Sequence, residues 1–215
     1  MTGHHIPSFL RIELLSDSTF SRGEGAAGVV DTEIERDDYG MPFIGGKTVR
    51  GLLRDAWLSM APHFPELEAA ATRVLGRSQA LDETCHLRIG DALLPEPMRR
   101  VVRQAVERPD HPLTPTMILD GFTSIRYQTA ESRETGAPER TTLRASRVVL
   151  RGCYFEASLA WLHGYQPVQA DLQVLSLCAL ATRHGGLLRN RGRGHILLTL
   201  DGDLPRTRQY AKVTP

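Results

Sequence analysis

Three observations predict an α+β chain. Residues 9–15 alternate with period two: Leu10, Ile12 and Leu14 face one way, Arg11 and Glu13 the other. Two stretches, 49–60 and 168–181, carry apolar stripes at helical spacing. A last alternation, Ile196, Leu198 and Leu200, closes the chain.

The chain has 215 residues, 41% hydrophobic and 24% charged, an ordinary globular balance. A chain this long buries roughly 70% of its unfolded surface and needs no staples. Residues 1–215 are therefore read as a single domain with insertions. No apolar run approaches the roughly 20 residues of a membrane span. Met-Thr-Gly-His-His at the start lacks the basic and apolar regions of a signal peptide, which predicts a cytoplasmic protein. Cys85, Cys153 and Cys178 are far apart and odd in number, so they are read as reduced and structural rather than as metal ligands.

In order along the chain, the strand at 9–15 leads into a Ser- and Gly-rich loop at 16–28. Residues 29–34 read as extended and 38–42 as a turn. Val49, Leu52, Leu53, Ala56, Trp57 and Met60 form one helical stripe, with Thr48 as its expected N-cap. A second helix is expected over 65–75, a short strand at Leu87 and Ile89, and a third helix with Met98, Val101, Val102 and Ala105 inward. Arg99, Arg100 and Arg103 then make its solvated face. Residues 109–123 contain three prolines and read as loop. Strand character at 124–129 and 141–150, around a polar tip, predicts a projecting β-hairpin. Phe155, Ala157, Leu159 and Trp161 alternate as another strand. Pro167 opens the next helix, whose end is expected at Gly185-Gly186.

With an insertion of about 61–123 set aside, the order is strand, helix, strands, helix and strand, which reads βαββαβ, with the hairpin at about 124–150. That is the ferredoxin-like (RRM-like) pattern, here with a thumb-like hairpin and a helical insertion. The fold alone does not specify an activity.

Charge points further. Lys47 and Lys212 are the only lysines, so 24 of the 26 cationic residues are Arg. Net charge is only +1, but its distribution is uneven. Arg183, Arg189, Arg191 and Arg193 occur with no acid among them, and residues 126–151 hold six Arg against three Glu. Acids gather instead at Glu33, Glu35, Asp37 and Asp38. Such segregation permits local anion binding on a nearly neutral protein.

Two segments can carry chemistry. In Gly45-Gly46-Lys47-Thr48-Val49-Arg50-Gly51-Leu52-Leu53-Arg54, glycines precede a helix whose first N–H groups and positive dipole end would receive a phosphate. The phosphate-loop spacing of nucleotide hydrolases is absent. In Gly185-Gly186-Leu187-Leu188-Arg189-Asn190-Arg191-Gly192-Arg193-Gly194, glycines supply freedom and Arg planes supply bidentate phosphate contacts and base stacking. Both loops are expected to bear on one RNA strand.

Residues 29–54, VVDTEIERDDYGMPFIGGKTVRGLLR, resemble the N-terminal motif of RAMP proteins, the repeat-associated subunits of CRISPR effector complexes. GGLLRNRGRGHI is similar to that family's Gly-rich loop, and residues 124–156 resemble its thumb. The resemblance implies a backbone-type subunit of a type III complex. Such a subunit would bind CRISPR RNA and complementary target RNA alongside other subunits and further copies of itself, away from membranes. It implies RNA contacts at Lys47, Thr48, Arg50, Arg54, Arg126, Arg140, Arg144, Arg189, Asn190, Arg191 and Arg193. It also implies target RNA cleavage at Asp31, with a divalent metal such as Mg²⁺ at that step and no metal site built by the protein alone. Glu24, Glu33 and Asp37 are neighbouring carboxylates. The family's paired serines are replaced by Lys47-Thr48, the thumb tip is short, and the Gly-rich loop has extra Arg. Two alternatives stand beside this reading. One is a stand-alone RAMP endoribonuclease that processes precursor CRISPR RNA with His184 and His195; the other is a catalytically silent RNA-binding subunit.

Overall fold

The computed structural model describes residues 5–21, 30–77, 84–129, 143–162, 164–189 and 191–212. Its main sheet has four strands: β1 (Phe9–Leu14), β2 (Leu87–Leu93), β5 (Tyr154–Trp161) and β6 (Ile196–Leu200), in the order β2-β5-β1-β6. All neighbours are antiparallel. With helix α1 (Gly46–Met60) after β1 and α5 (Gln169–Ala181) after β5, this is the ferredoxin-like arrangement that the sequence predicts.

The alternation in β1 explains the core. Leu10, Ile12 and Leu14 pair with Leu200, Leu198 and Ile196 on one side, and Leu10 and Ile12 with Ala157 and Phe155 on the other. All are buried and share one core with Val49, Leu53 and Trp57 of α1 and with Leu172, Leu175 and Cys178 of α5. Burial pushes the Cys178 thiol up to about 12, so it stays protonated and behaves as a small core residue. On the other face, the Arg11 guanidinium lies 4.5 Å from the Tyr154 ring centre and 2.9 Å from Glu156.

The span 61–123 is divided rather than being one insertion, because Leu87–Leu93 is the edge strand of the main sheet. Before it comes α2 (Glu68–Leu75). After it come α3 (Glu96–Val106) and α4 (Pro115–Phe122). The sequence reading took 109–123 as loop. The structure corrects it: Pro115 occupies the first helical turn, and the Thr114 hydroxyl accepts from Met117 N–H. The expected N-cap Thr48 is likewise corrected. α1 begins at Gly46 with Gly45 as cap, three residues before the expected cap, and the later helix α5 ends at Ala181, ahead of the glycines at 185 and 186. A further helix, α6 (Leu204–Ala211), was not expected; Asp203 caps it and it packs on α5.

The strands β3 (Thr123–Gln128) and β4 (Arg144–Val149) form the expected hairpin as a separate two-stranded sheet. Its tip, 130–142, lies outside the described residues. Arg147 fastens the hairpin's root. Only 7% exposed, its guanidinium reaches Glu33 at 3.0 Å, Asp120 of α4 at 3.1 Å and the Thr123 hydroxyl at 3.1 Å. Arg147→Ala is expected to cost about 3 kcal/mol, because it strands the Glu33 carboxylate without its cation. A lower urea midpoint at unchanged slope would show this, and an unaltered midpoint would refute it.

Candidate nucleic-acid interface

The site is built where two connections meet at the end of the sheet. The loop after β1 and the loop before β6 form a backbone seam. Leu15 N–H donates to the His195 carbonyl at 2.9 Å, Gly194 N–H to Asp17 at 3.0 Å and Leu187 N–H to Thr19 at 2.9 Å. Two positions leave no room for a side chain, one at the seam and one within the Gly-rich loop's own neck. A Cβ on Gly186 (φ +80°) would lie 2.5 Å from the Thr19 carbonyl oxygen. One on Gly194 (φ +72°) would lie 2.1 Å from that of Gly185. The glycines of this loop are thus required for chain packing, and they position the arginines between them. His184 and His195 close the loop's neck as an antiparallel bridge, with rings stacked 5.2 Å apart.

The hairpin docks on the same seam. Ser18 and Val149 exchange backbone hydrogen bonds of 3.0 and 2.8 Å. Further along the same edge of β4, Thr32 pairs in parallel with Ser146. Asp31 is exposed beside it: its N–H donates to the Ala145 carbonyl, and its Oδ2 accepts from Ala145 N–H at 2.6 Å. Its Oδ1 has no partner among the described residues. One residue further along, the Ser146 hydroxyl receives Arg193 at 2.9 Å. Burial lowers the Arg193 pKa from its ordinary value; Asp17 opposes this and Arg126 adds to it. Arg126, opposite Ser146 in the hairpin, binds Asp17 at 2.7 Å.

Asp31, Arg126 and Arg193 therefore meet along the hairpin at Ala145 and Ser146, with Arg144 next in β4 toward the tip. Arg144 and Arg191 are exposed, with no partner among the described residues, and Arg189 lies 3.6 Å from Asp55 of α1. Arg140, Asn190 and Glu24 lie outside the described residues. Of the other carboxylates near Asp31, Glu33 is held by Arg147, and Asp37 closes a turn by accepting from Tyr39 and Met41 N–H. Asp17 and Ser146 were not singled out in the sequence. Each is one polar residue among many in its segment, and only its tertiary neighbours distinguish it.

The other expected cluster separates. Lys47 and Thr48 are exposed on the first turn of α1. Arg50 instead turns inward and donates to the carbonyls of Val74, Leu75 and Leu87. Arg54, one turn on, shares its flank, whereas Leu52 and Asp55 face the Gly-rich loop. The expectation that Arg50 and Arg54 join the loop arginines is corrected by helical rotation. Nor is the start of α1 open to an anion as expected. Glu35 accepts from Gly45 N–H at 3.1 Å and Asp91 from Gly46 N–H at 2.7 Å, so carboxylates already occupy the place of a phosphate.

No group of three or more His, Cys, Asp or Glu side chains among the described residues could hold a metal ion. Asp31 offers one carboxylate with one oxygen engaged, so these residues do not fit a protein-built metal centre. No described helix is long and apolar enough to cross a membrane.

Comparison with known proteins agrees with this architecture. The family described as the RAMP superfamily matches residues 11–195. No curated protein matches the chain in sequence. Among solved structures, a chain in the type III-B Cmr-β complex bound to cognate target RNA superposes with a TM-score of 0.64 at 10% identity. The match covers 91% of this chain and 97% of that one. A chain in the apo state of Cmr-β gives 0.65 at 12% identity, covering 92% and 98%. At these identities the likeness is one of fold.

The seam makes a prediction. Gly194→Ala is expected to destabilise by more than about 2 kcal/mol, from a left-handed Cβ and a backbone clash together. Gly192→Ala has the same backbone sign (φ +77°) but open space, and should cost only about 1 kcal/mol. Thermal or urea unfolding that ranks the two equally would contradict the role of the close approach.

Proposed function

This chain belongs to the RAMP superfamily, and on that basis we propose that it is an RNA-binding subunit of a cytoplasmic type III CRISPR effector complex that cleaves target RNA beside its hairpin. The observation that carries the reading is the convergence of Asp31, strand β4 of the hairpin and the Gly-rich loop, linked through Ala145, Ser146 and Arg193. The guide strand lies along the exposed arginines of the loop, Arg189 and Arg191, and passes Lys47 and Thr48 at the start of α1. Guanidinium groups suit this task because they grip phosphate oxygens in pairs and stack on bases. The hairpin, bearing Arg126 and Arg144, meets the guide–target duplex. Further copies of the chain and other subunits extend the array.

Asp31 acts as the base. Its free Oδ1 takes the proton of a target 2′-hydroxyl, and the 2′-oxygen attacks the adjacent phosphorus. The bond to the 5′-oxygen breaks, and that oxygen is protonated from solvent. The Ala145 N–H holds the carboxylate by its other oxygen, so the base is presented in a fixed orientation. No step is assigned to a metal, because the described residues do not build a site for one.

Asp31→Asn retains an oxygen that accepts from Ala145 N–H, so folding and assembly should be preserved. Target cleavage should fall by about 10²-fold or more. Full cleavage by the assembled Asp31→Asn complex would leave the silent RNA-binding subunit as the correct reading. Purified from cells, the protein should carry short RNA of uniform length. Its affinity for single-stranded RNA should drop steeply with salt, and a flat response would reject the RNA groove.

A further inference from the structure

Between α1 and the chain leaving α5 lies a trough of about 570 Å³, on the flank of α1 that faces the Gly-rich loop. That volume falls in the range of small-ligand pockets, roughly 300–1,000 Å³. Leu52, Ala56 and Met60, four residues apart on one row of α1 and half-buried, make its apolar floor. Asp55 and Ser59 form the next row out. Arg183 and His184, after α5, and Arg189, from the Gly-rich loop, line it from the other side. These walls are fixed. The Thr182 hydroxyl donates to the Cys178 carbonyl at 2.8 Å and reaches that of Leu52 at 3.5 Å, and the His184 ring stacks on His195. Asp55 and Arg189 approach to 3.6 Å. That is too long for a hydrogen bond, and a carboxylate has about four lone-pair positions, so this pair does not use up the acceptors of Asp55.

We propose that this trough is a base-reading pocket that selects a guanine of the bound RNA, with Asp55 accepting from its Watson–Crick edge. The inference rests on the reading of the chain as an RNA-binding subunit and adds base selectivity to a grip on phosphates. The trough sets a carboxylate beside two guanidinium groups, above an apolar floor. A ligand that suits all three carries neighbouring N–H donors, negative charge and a flat ring. Guanine within an RNA strand has each: N1–H and the 2-amino group are adjacent donors for one carboxylate, the ring lies on the floor, and flanking phosphates meet Arg183 and Arg189. Adenine and cytosine turn a bare ring nitrogen to the same edge, and uracil turns carbonyls, so each sets a lone pair against the carboxylate. A basic protein segment would suit Asp55 but would meet Arg183 and Arg189 as like charges. Thr48 lies one turn before Leu52 on the same face of α1, so a strand passing the start of the helix leads into the trough.

The test uses the full chain and a labelled oligouridine carrying one guanosine, inosine or adenosine, titrated by fluorescence anisotropy; inosine lacks the 2-amino group. The parent should bind the guanosine strand about tenfold more tightly than the adenosine strand, with inosine between them. Asp55→Asn should collapse this difference and keep its thermal midpoint, since Asp55 is 67% exposed. Removing a negative charge without a lost base contact would tighten all three strands equally, and that result overturns the pocket. A parent that binds the three strands alike, with steep salt dependence, also overturns it and leaves the RNA groove standing. If the parent binds none of them, both readings fall. Guanosine monophosphate or oligolysine that binds through Asp55, while the three strands bind alike, would make the trough a free-nucleotide site or a protein-docking surface and overturn the proposal.

Discussion

The close approach of two backbones, residues 15–19 against 186–195, is the constraint on which the rest of the site depends. Carbonyls of Asp17 and Thr19 accept from Gly194 and Leu187. At Gly186 the chains are too near for any Cβ, and at Gly194 the loop's own neck leaves no room for one beside the Gly185 carbonyl. Hydrogen-bonded contact at this distance excludes water and fixes both loops to the end of the sheet. Asp17, held in the seam, then presents its carboxylate to Arg126 and to the Arg151 N–H, which brings the hairpin down onto the same place. A loop rich in glycine is here a packed element, and the charge it carries is displayed rather than mobile.

Arginine serves two unlike purposes in this protein. Arg147 and Arg50 are consumed by the fold, the first by two carboxylates and a hydroxyl, the second by carbonyls at the end of α2 and the start of β2. Arg144 and Arg191 are exposed without a described partner. A guanidinium has five donors and keeps its charge when buried, so it can lock a core as well as bind a phosphate. The composition, 24 Arg in 215 residues, does not distinguish these uses. Helical phase does so for α1. Positions 50 and 54 follow one flank and 52 and 55 another, so residues close in sequence serve different surfaces.

Carboxylates likewise divide. Glu35 and Asp91 neutralise the start of α1, and Glu33 and Asp37 tie the segment that follows Asp31. Asp31 keeps one oxygen unengaged among the described residues, which sets it apart from its neighbours and accords with a chemical role. The same distribution explains how a chain of net charge +1 presents arginine-rich surfaces, because much of its acid is folded inward as caps and ion pairs.

Sequence alone settles the strands β1, β5 and β6, the helices α1 and α5 and the hairpin; the remaining strand of the βαββαβ core, β2, shows only as the short alternation of Leu87 and Ile89. The settled elements carry strong periodicity, and period follows directly from which side chains must leave water. The sequence also marks Asp31 and the Gly-rich loop as candidates for chemistry. It did not reveal α4, whose prolines read as loop until Thr114 and Pro115 were seen to begin a helix, nor α6, which is short and polar. Only the tertiary structure decided which arginines face solvent, that carboxylates cap α1, and that Asp31 stands one residue from the hydroxyl holding Arg193. Those outcomes depend on contacts between separate elements, from Glu35 with Gly45 to Asp31 with Ala145, 114 positions apart, and no local periodicity encodes such partners.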